Sequence, residues 1–192
     1  MPAIILASSS PYRATLLRKL HLDFEICASH VDETPQPGES AENQALRLSI
    51  AKANALRMTY PEHLIIGSDQ VAVCGEHFLN KPRNREQAIL QLLTQAGKSA
   101  KFYTGVCVLD TLNNKMYSAI DSCTVHFKAL NLKQIERYID LEQPFDCAGS
   151  FKSENLGIAL FSGIEASDPN TLIGLPMIKL IALLSEAGVE VI

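Results

Sequence analysis

One run constrains the fold more than any other. Leu64-Ile65-Ile66 is short, continuous, apolar and rich in β-branched side chains, and the small residues Gly67 and Ser68 follow it before Asp69. An uninterrupted apolar run of this length, bounded by small residues, has the character of a buried strand. Gly67 and Ser68 read as the end of that strand, small enough to let another group approach the backbone, and Val71 and Val73 continue an extended segment to a turn at Gly75. Asp69 then stands at the strand's carboxyl end, the edge at which open α/β sheets bind ligands. A lone Asp at such a place also has ordinary uses, opening a turn or capping an amide, so its role depends on what gathers near it.

The flanking sequence alternates strand and helix signals. Ala3 to Ala7 reads as a strand, and Ser10-Pro11 places an N-cap and an N1 proline at the start of a helix running to about Leu20, with Leu16, Leu17 and Leu20 inward. Leu22 to Ile26 alternates like a half-buried strand, and Ser40 caps a helix from Ala41 to about Met58. Asn84 opens a helix over 85–96, ended by Gly97. Phe102 to Leu109 and Tyr117 to Phe127, joined by Asp110-Thr111-Leu112-Asn113-Asn114, form a hairpin. A helix from about Asn131, with Leu132, Ile135 and Ile139 inward, stops before Pro144. Leu156 to Phe161 reads as a strand, and Leu175-Pro176 opens a last helix burying Ile178, Ile181 and Leu184. The whole is an α/β pattern with antiparallel strands added.

Size and charge exclude several roles. A chain of 192 residues, 47% hydrophobic, suits one domain or two small lobes sharing a core, and no repeat, low-complexity tract or clean linker divides it. The net charge of −4 announces no nucleic-acid coat and no attraction to anionic membrane. No apolar run is long enough to span a bilayer and the N-terminus lacks the basic start of a signal peptide, so a cytoplasmic location is expected. Cys27, Cys74, Cys107, Cys123 and Cys147 are widely spaced without C-x-x-C, and the five His residues show no H-x-H or H-E-x-x-H spacing, which disfavours a thiolate or imidazole metal site.

Candidate chemistry sits in turns and loops. Ser8-Ser9-Ser10, the free amides of the following helix and Arg13 in its first turn read either as an anion site or as an ordinary Ser cap beside a solvent-facing Arg, while G-x-x-x-x-G-K-[ST] is absent. Val31-Asp32-Glu33 offers two acids. Lys52 lies between Leu48, Ala55 and Leu56 on one helical stripe, so it either snorkels to water or meets a buried anion. Pro82 holds Lys81 extended, and Ala148 to Gly157 carries Lys152 and Glu154 between glycines. Four cations (Arg13, Lys52, Lys81, Lys152) with four acids (Glu33, Asp69, Glu154, Asp168) suit a polyphosphate bound together with a hard divalent ion.

Six ordered strings carry a family resemblance: Ala7-Ser8-Ser9-Ser10-Pro11-Tyr12-Arg13, Val31-Asp32-Glu33, Gly67-Ser68-Asp69-Gln70-Val71, Lys81-Pro82, Ala148-Gly149-Ser150-Phe151-Lys152-Ser153-Glu154 and Gly174-Leu175-Pro176. Together they resemble the Maf family of nucleoside triphosphate pyrophosphatases, from about residue 3 to the C-terminus. The resemblance implies an α/β fold related to the inosine triphosphate pyrophosphatases, with a mixed twisted sheet and flanking helices forming two lobes of a single domain around a cleft. It implies hydrolysis of a nucleoside triphosphate to the monophosphate and pyrophosphate with Mg²⁺ or Mn²⁺, in a protein that is often a homodimer. It places the proton acceptor at Asp69, phosphate contacts at Ser8, Ser9, Ser10, Arg13, Lys52, Lys81 and Lys152, and metal ligands at Glu33, Asp69 and Asp168.

Three positions point to a branch. Members resembling the dTTP/UTP pyrophosphatases have Arg, Thr and Gln where this chain has Tyr12, Gln70 and Glu154; these three instead resemble the YceF branch, which acts on 7-methyl-GTP, although relatives there carry Trp at the Tyr12 position. The chemistry agrees, because a 7-methylated guanine is cationic, so an aromatic face attracts it and a carboxylate neutralises it. Other readings are a dTTP/UTP or broad-specificity enzyme, a non-catalytic nucleotide sensor touching cell division, and a dehalogenase-type phosphatase, which would need D-x-D where Asp69 is followed by Gln70 and Val71.

Overall fold

The computed structural model describes residues 2–192. The elements in order are β1 (Ala3–Leu6), α1 (Pro11–Arg18), β2 (Phe24–Ile26), α2 (Ala41–Ala55), β3 (His63–Cys74), β4 (His77–Phe78), α3 (Arg85–Gln95), β5 (Ser99–Asp110), β6 (Lys115–Phe127), α4 (Leu132–Glu142), β7 (Phe161–Ala166), α5 (Asn170–Ile173) and α6 (Met177–Glu186). Seven strands form one sheet in the order β2-β1-β3-β5-β6-β7, with β4 paired to β3. The sheet is mixed: β1 lies parallel to β2 and β3, while β6 and β7 are antiparallel. The chain divides into two compact units, the first holding the chain up to Gln70 with Tyr103–Asp121 and Asp168–Ile192, the second Val71–Phe102 with Ser122–Ser167.

In the first unit the strands are covered on both faces, and strict alternation sorts their side chains. Ile4, Leu6, Leu64, Ile66, Val106 and Val108 pack with Leu16 and Leu17 of α1 and Leu180 and Leu184 of α6. Ile5, Ile65, Cys107 and Leu109 join Ala53 of α2 and Leu56 at its C-cap. This period of two, apolar on both sides, explains why the Leu64 run has no polar interruption. The expected Ser caps are present, since Ser10 accepts from the Arg13 amide and Ser40 from the Asn43 amide.

The second unit is built on aromatic packing. Phe102, Phe127, Phe151 and Phe161 meet edge to face with centroids 4.8–5.7 Å apart. Helices α3 and α4 are capped by Asn84 and Asn131, the latter in a capping box with Gln134.

Four expectations are corrected. β3 does not stop at Gly67 but runs on to Cys74, so Asp69 lies inside a strand of 12 residues. What ends near Asp69 is the parallel ladder, because β1's last partner pair is Leu6 with Ile66. Residues Leu156–Leu160 form a 3₁₀ segment, and the strand begins only at Phe161. On α6 the inward residues are Met177, Leu180, Leu183 and Leu184, while Ile178 is 59% exposed. On α4, Tyr138 joins Ile135 and Ile139 inside and Leu132 is exposed.

Candidate active site

The alternation that sorts the core also sorts the residues beyond it. Continuing along β3 from Ile65 and Ile66, Gly67 and Asp69 fall on the α2 face and Ser68 and Gln70 on the other. Hydrogen bonds bear this out. Asp69 meets Lys52 of α2, whereas Ser68 donates to the Gly174 carbonyl and Gln70 to the carbonyls of Thr171 and Leu172.

On the α2 face, Lys52 Nζ lies 2.5 Å from Asp69 Oδ1 and 2.6 Å from Glu33 Oε1. Lys52 and Asp69 are both buried, at 8% and 7% exposure. Of the two readings of Lys52, the buried anion therefore holds, and the aliphatic stem alone packs in the stripe. Burial pushes the Asp69 carboxyl above its ordinary range; the cations of Lys52 and Arg13 oppose the rise, and Glu33 adds to it. Burial also lowers the Arg13 guanidinium, against the pull of Asp69 and Glu33, though an arginine stays charged at neutral pH.

The acid loop is braced from outside the motifs. Arg47 makes a bidentate pair with Glu39 at 2.6 and 2.7 Å and donates to the Thr34 carbonyl. Asp32 accepts from the Thr34 amide and hydroxyl, which holds its carboxyl below the usual range and makes it a turn residue, while its neighbour Glu33 reaches Lys52. Glu39 and Arg47 stand eight residues apart across a helix start, a spacing with no periodic signal.

At the α1 turn, the buried Ser8 hydroxyl accepts from the Ser10 amide and from Arg13 Nη1, and Arg13 Nε donates to the Gly174 carbonyl at 2.7 Å. Ser9 is exposed, and Tyr12 is half-buried in the first helical turn. Gln70 Nε2 faces three acceptors, the carbonyls of Thr171 and Leu172 and the Thr104 hydroxyl, so its nitrogen is committed to the protein and its carbonyl oxygen is the group left to accept.

Asp168, expected among the metal ligands, is occupied within the protein. It is 1% exposed; Oδ1 accepts from the Asn170 amide and side chain, and Oδ2 from the Ile178 amide. These bonds tie α5 to α6 and leave the carboxylate in the position of a helix cap.

In the second unit, Lys152 Nζ donates to the Glu142 carbonyl at the C-terminal end of α4, where the helix dipole favours a cation, and its amide donates to the Tyr138 hydroxyl. The Glu142 carboxylate accepts from the Leu156 amide and from Asn155. Gly157 allows this turn, because a Cβ there would lie 2.3 Å from the Lys152 carbonyl oxygen. Glu154 is exposed at the loop tip with its carboxylate 3.4 Å from the Ser153 hydroxyl. Lys81 is exposed beside a cavity of about 460 Å³ lined by His77, Phe78, Leu79, Asn80, Leu90 and Gln91 among others.

The donor set fits a hard divalent ion within limits. Two carboxylates, Asp69 and Glu33, converge on one point, now held by the Lys52 ammonium, and among the described residues no group of three or more ligating side chains forms. Mg²⁺ is commonly held by one or two carboxylates with the remaining positions left to substrate phosphates and water. Among the described residues no helix is long and apolar enough to cross a membrane.

The mixed sheet with its flanking helices is an α/β architecture shared with solved Ham1 proteins. The chain superposes on the Staphylococcus aureus Ham1 protein with a TM-score of 0.56 at 14% identity, covering 97% of this chain and 100% of that one. A HAM1 protein from Coxiella burnetii matches over the same shares with a TM-score of 0.51 and 14% identity. The family model described as Maf-like protein matches residues 3–187, and the chain belongs to the Maf family. Among its relatives are the 7-methyl-GTP pyrophosphatases of Colwellia psychrerythraea, 51% identical over 100% of this chain and 96% of the relative, and of Pseudomonas aeruginosa, 49% identical over 100% of both.

Proposed function

We propose that this protein hydrolyses 7-methyl-GTP to 7-methyl-GMP and pyrophosphate, as a cytoplasmic homodimer that removes non-canonical nucleotides. The observation that carries the chemistry is the buried Asp69 carboxylate, raised in pKa and paired with Lys52, which Glu33 also reaches. The choice of base rests on full-length relatives of that name at about half identity, together with Tyr12, Gln70 and Glu154.

In this reading Asp69 accepts a proton from the water that attacks the α-phosphorus. Its raised pKa makes it a better base near neutrality than a solvated Asp near ~3.9. A divalent cation, when bound, would be held by Asp69 and Glu33 and would neutralise phosphate charge and acidify water. Lys52 would then give up a carboxylate contact for a phosphate oxygen. Arg13, the Ser8–Ser10 turn, Lys81 and Lys152 bind the triphosphate and stabilise charge on the departing pyrophosphate. Tyr12 supplies an aromatic face, Glu154 a counter-charge for the methylated ring, and the Gln70 carbonyl oxygen an acceptor.

Pyrophosphate release from 7-methyl-GTP, GTP, dTTP, UTP and ITP, under Mg²⁺ and Mn²⁺, tests the proposal, with an Asp69→Asn protein as control. The expected result is the highest kcat/KM for 7-methyl-GTP and a loss of about 10²- to 10⁴-fold in the variant. Near-normal turnover by Asp69→Asn under saturating metal would remove Asp69 from the chemistry. Equal kcat/KM across the panel would remove the base preference.

A further inference from the structure

Three of the recurring strings meet at a single carbonyl. The oxygen of Gly174 accepts from Arg13 Nε at 2.7 Å and from the Ser68 hydroxyl at 3.1 Å, and Ser68 also donates to the Gly105 carbonyl at 2.8 Å. Ser68 is fully buried, so its hydroxyl has no water to turn to. Gly174 has φ of +116°, a backbone geometry that L side chains rarely adopt. The turn it makes closes α5, with the Gly174 amide donating back to the carbonyls of Asn170 and Thr171.

We propose that Gly174 and Ser68 are positioning residues for Arg13, setting the direction in which its guanidinium meets a phosphate. An arginine side chain has four rotatable bonds, and an unanchored one must be ordered each time it binds an anion. Here Nε is fixed by the Gly174 carbonyl and Nη1 contacts the Ser8 hydroxyl at 3.4 Å, so the guanidinium plane is set before any ligand arrives. The remaining N–H groups of the fork, those of Nη2 above all, are what such an anchor presents. A lysine could not replace it, because one ammonium lacks the two separated edges needed to hold a carbonyl and a phosphate in a fixed plane. The Gly174-Leu175-Pro176 string, to which no chemistry attaches directly, thereby gains a role: a left-handed turn whose carbonyl anchors the arginine of the first string.

The inference rests on the reading of Arg13 as a triphosphate ligand, and a double-mutant cycle separates the two. Arg13→Lys, Gly174→Ala, Ser68→Ala and the two pairwise combinations with Arg13→Lys are compared in kcat, KM and inhibition by inorganic pyrophosphate, with thermal melting to establish that each is folded. Arg13→Lys is expected to weaken pyrophosphate binding and lower kcat/KM by about 10-fold or more. Gly174→Ala should lower kcat/KM by a similar factor, and Ser68→Ala by less, because Arg13 keeps its bond to the carbonyl. In the Arg13→Lys background both further losses should shrink below about twofold. Additive losses in folded proteins would overturn the positioning role while leaving Arg13 as a ligand. An Arg13→Lys protein with unchanged kcat/KM and pyrophosphate inhibition would overturn the ligand reading itself. If Gly174→Ala fails to fold, the cycle is read on Ser68→Ala, where additivity with Arg13→Lys again rejects the proposal.

Discussion

Gly67 of β3 and Ser49 of α2 meet backbone to backbone: a Cβ added to Gly67 would lie 2.1 Å from the Ser49 carbonyl oxygen and 2.8 Å from the Ala53 amide. This close approach lets α2 sit low enough on the strand for Lys52, one turn along, to reach Asp69. Gly67→Ala is therefore expected to destabilise the protein by about 3 kcal/mol, the upper end for overpacking a rigid contact. Urea denaturation at fixed slope reads this directly, and a midpoint equal to that of the unaltered protein would show that α2 can shift without strain.

The pH dependence of kcat/KM carries the electrostatics of the site. In the proposed reaction Asp69 must be ionised to accept a proton, so activity is expected to rise with pH through its pKa, which burial raises above the ordinary carboxylate range. Lys52 pulls that pKa down and Glu33 pushes it up. Lys52→Met should therefore move the acidic limb to higher pH, and Glu33→Gln should move it to lower pH. Shifts in the same direction in both variants would show that another group controls the limb.

Removing metal tests the two-carboxylate donor set. Chelation should abolish turnover, and restoration by Mg²⁺ or Mn²⁺ should follow a saturable titration. In Glu33→Gln the metal concentration at half-maximal rate should rise by about 10-fold, because one of two charged ligands has become neutral. An Asp168→Asn protein should need no more metal than the original, since both oxygens of Asp168 are held by the backbone and by Asn170; its deficit should appear in thermal stability, through the lost helix cap.

Choice of base is expected to depend on charge at Glu154. Glu154→Gln should reduce the ratio of kcat/KM for 7-methyl-GTP over GTP by about 10-fold while leaving hydrolysis of GTP close to its original rate. Competition between the two nucleotides in one reaction measures the ratio without separate determinations of enzyme concentration. An unchanged ratio would mean that the methylated ring is recognised by shape alone.

Legibility in the sequence followed the range of the interactions. Caps such as Ser10, Ser40, Asn84 and Asn131 were readable because a cap is settled within four residues, and the buried strands were readable because both faces of the sheet are covered. The face of α6 was not readable: Met177, Ile178, Leu180, Ile181, Leu183 and Leu184 are apolar all round, so periodicity offers rival stripes, and contact with Leu6, Val106 and Val108 decides between them. Asp69 appeared to end a strand because Gly67 and Ser68 are weak strand formers, yet Gly67 is there for the approach of α2 and Ser68 for its bonds to Gly105 and Gly174. The acids told the same story. Glu33 and Asp168 look alike in the chain, and only tertiary hydrogen bonding separates one that meets a lysine from one that caps a helix.

The alternation of side chains along β3 makes the strand's reading frame part of the site. Gly67 and Asp69 face α2, while Ser68 and Gln70 face the α5 turn, so a slip by a single residue would exchange the two sets. Ser68 would then press against the helix where only glycine fits, and the carboxylate would point at carbonyl oxygens instead of an ammonium. Single-residue insertions between Leu64 and Gln70 should thus be far more damaging than most substitutions there. A library of insertions screened for folding should show a gap across that stretch and tolerance in the exposed turn at Gly75-Glu76.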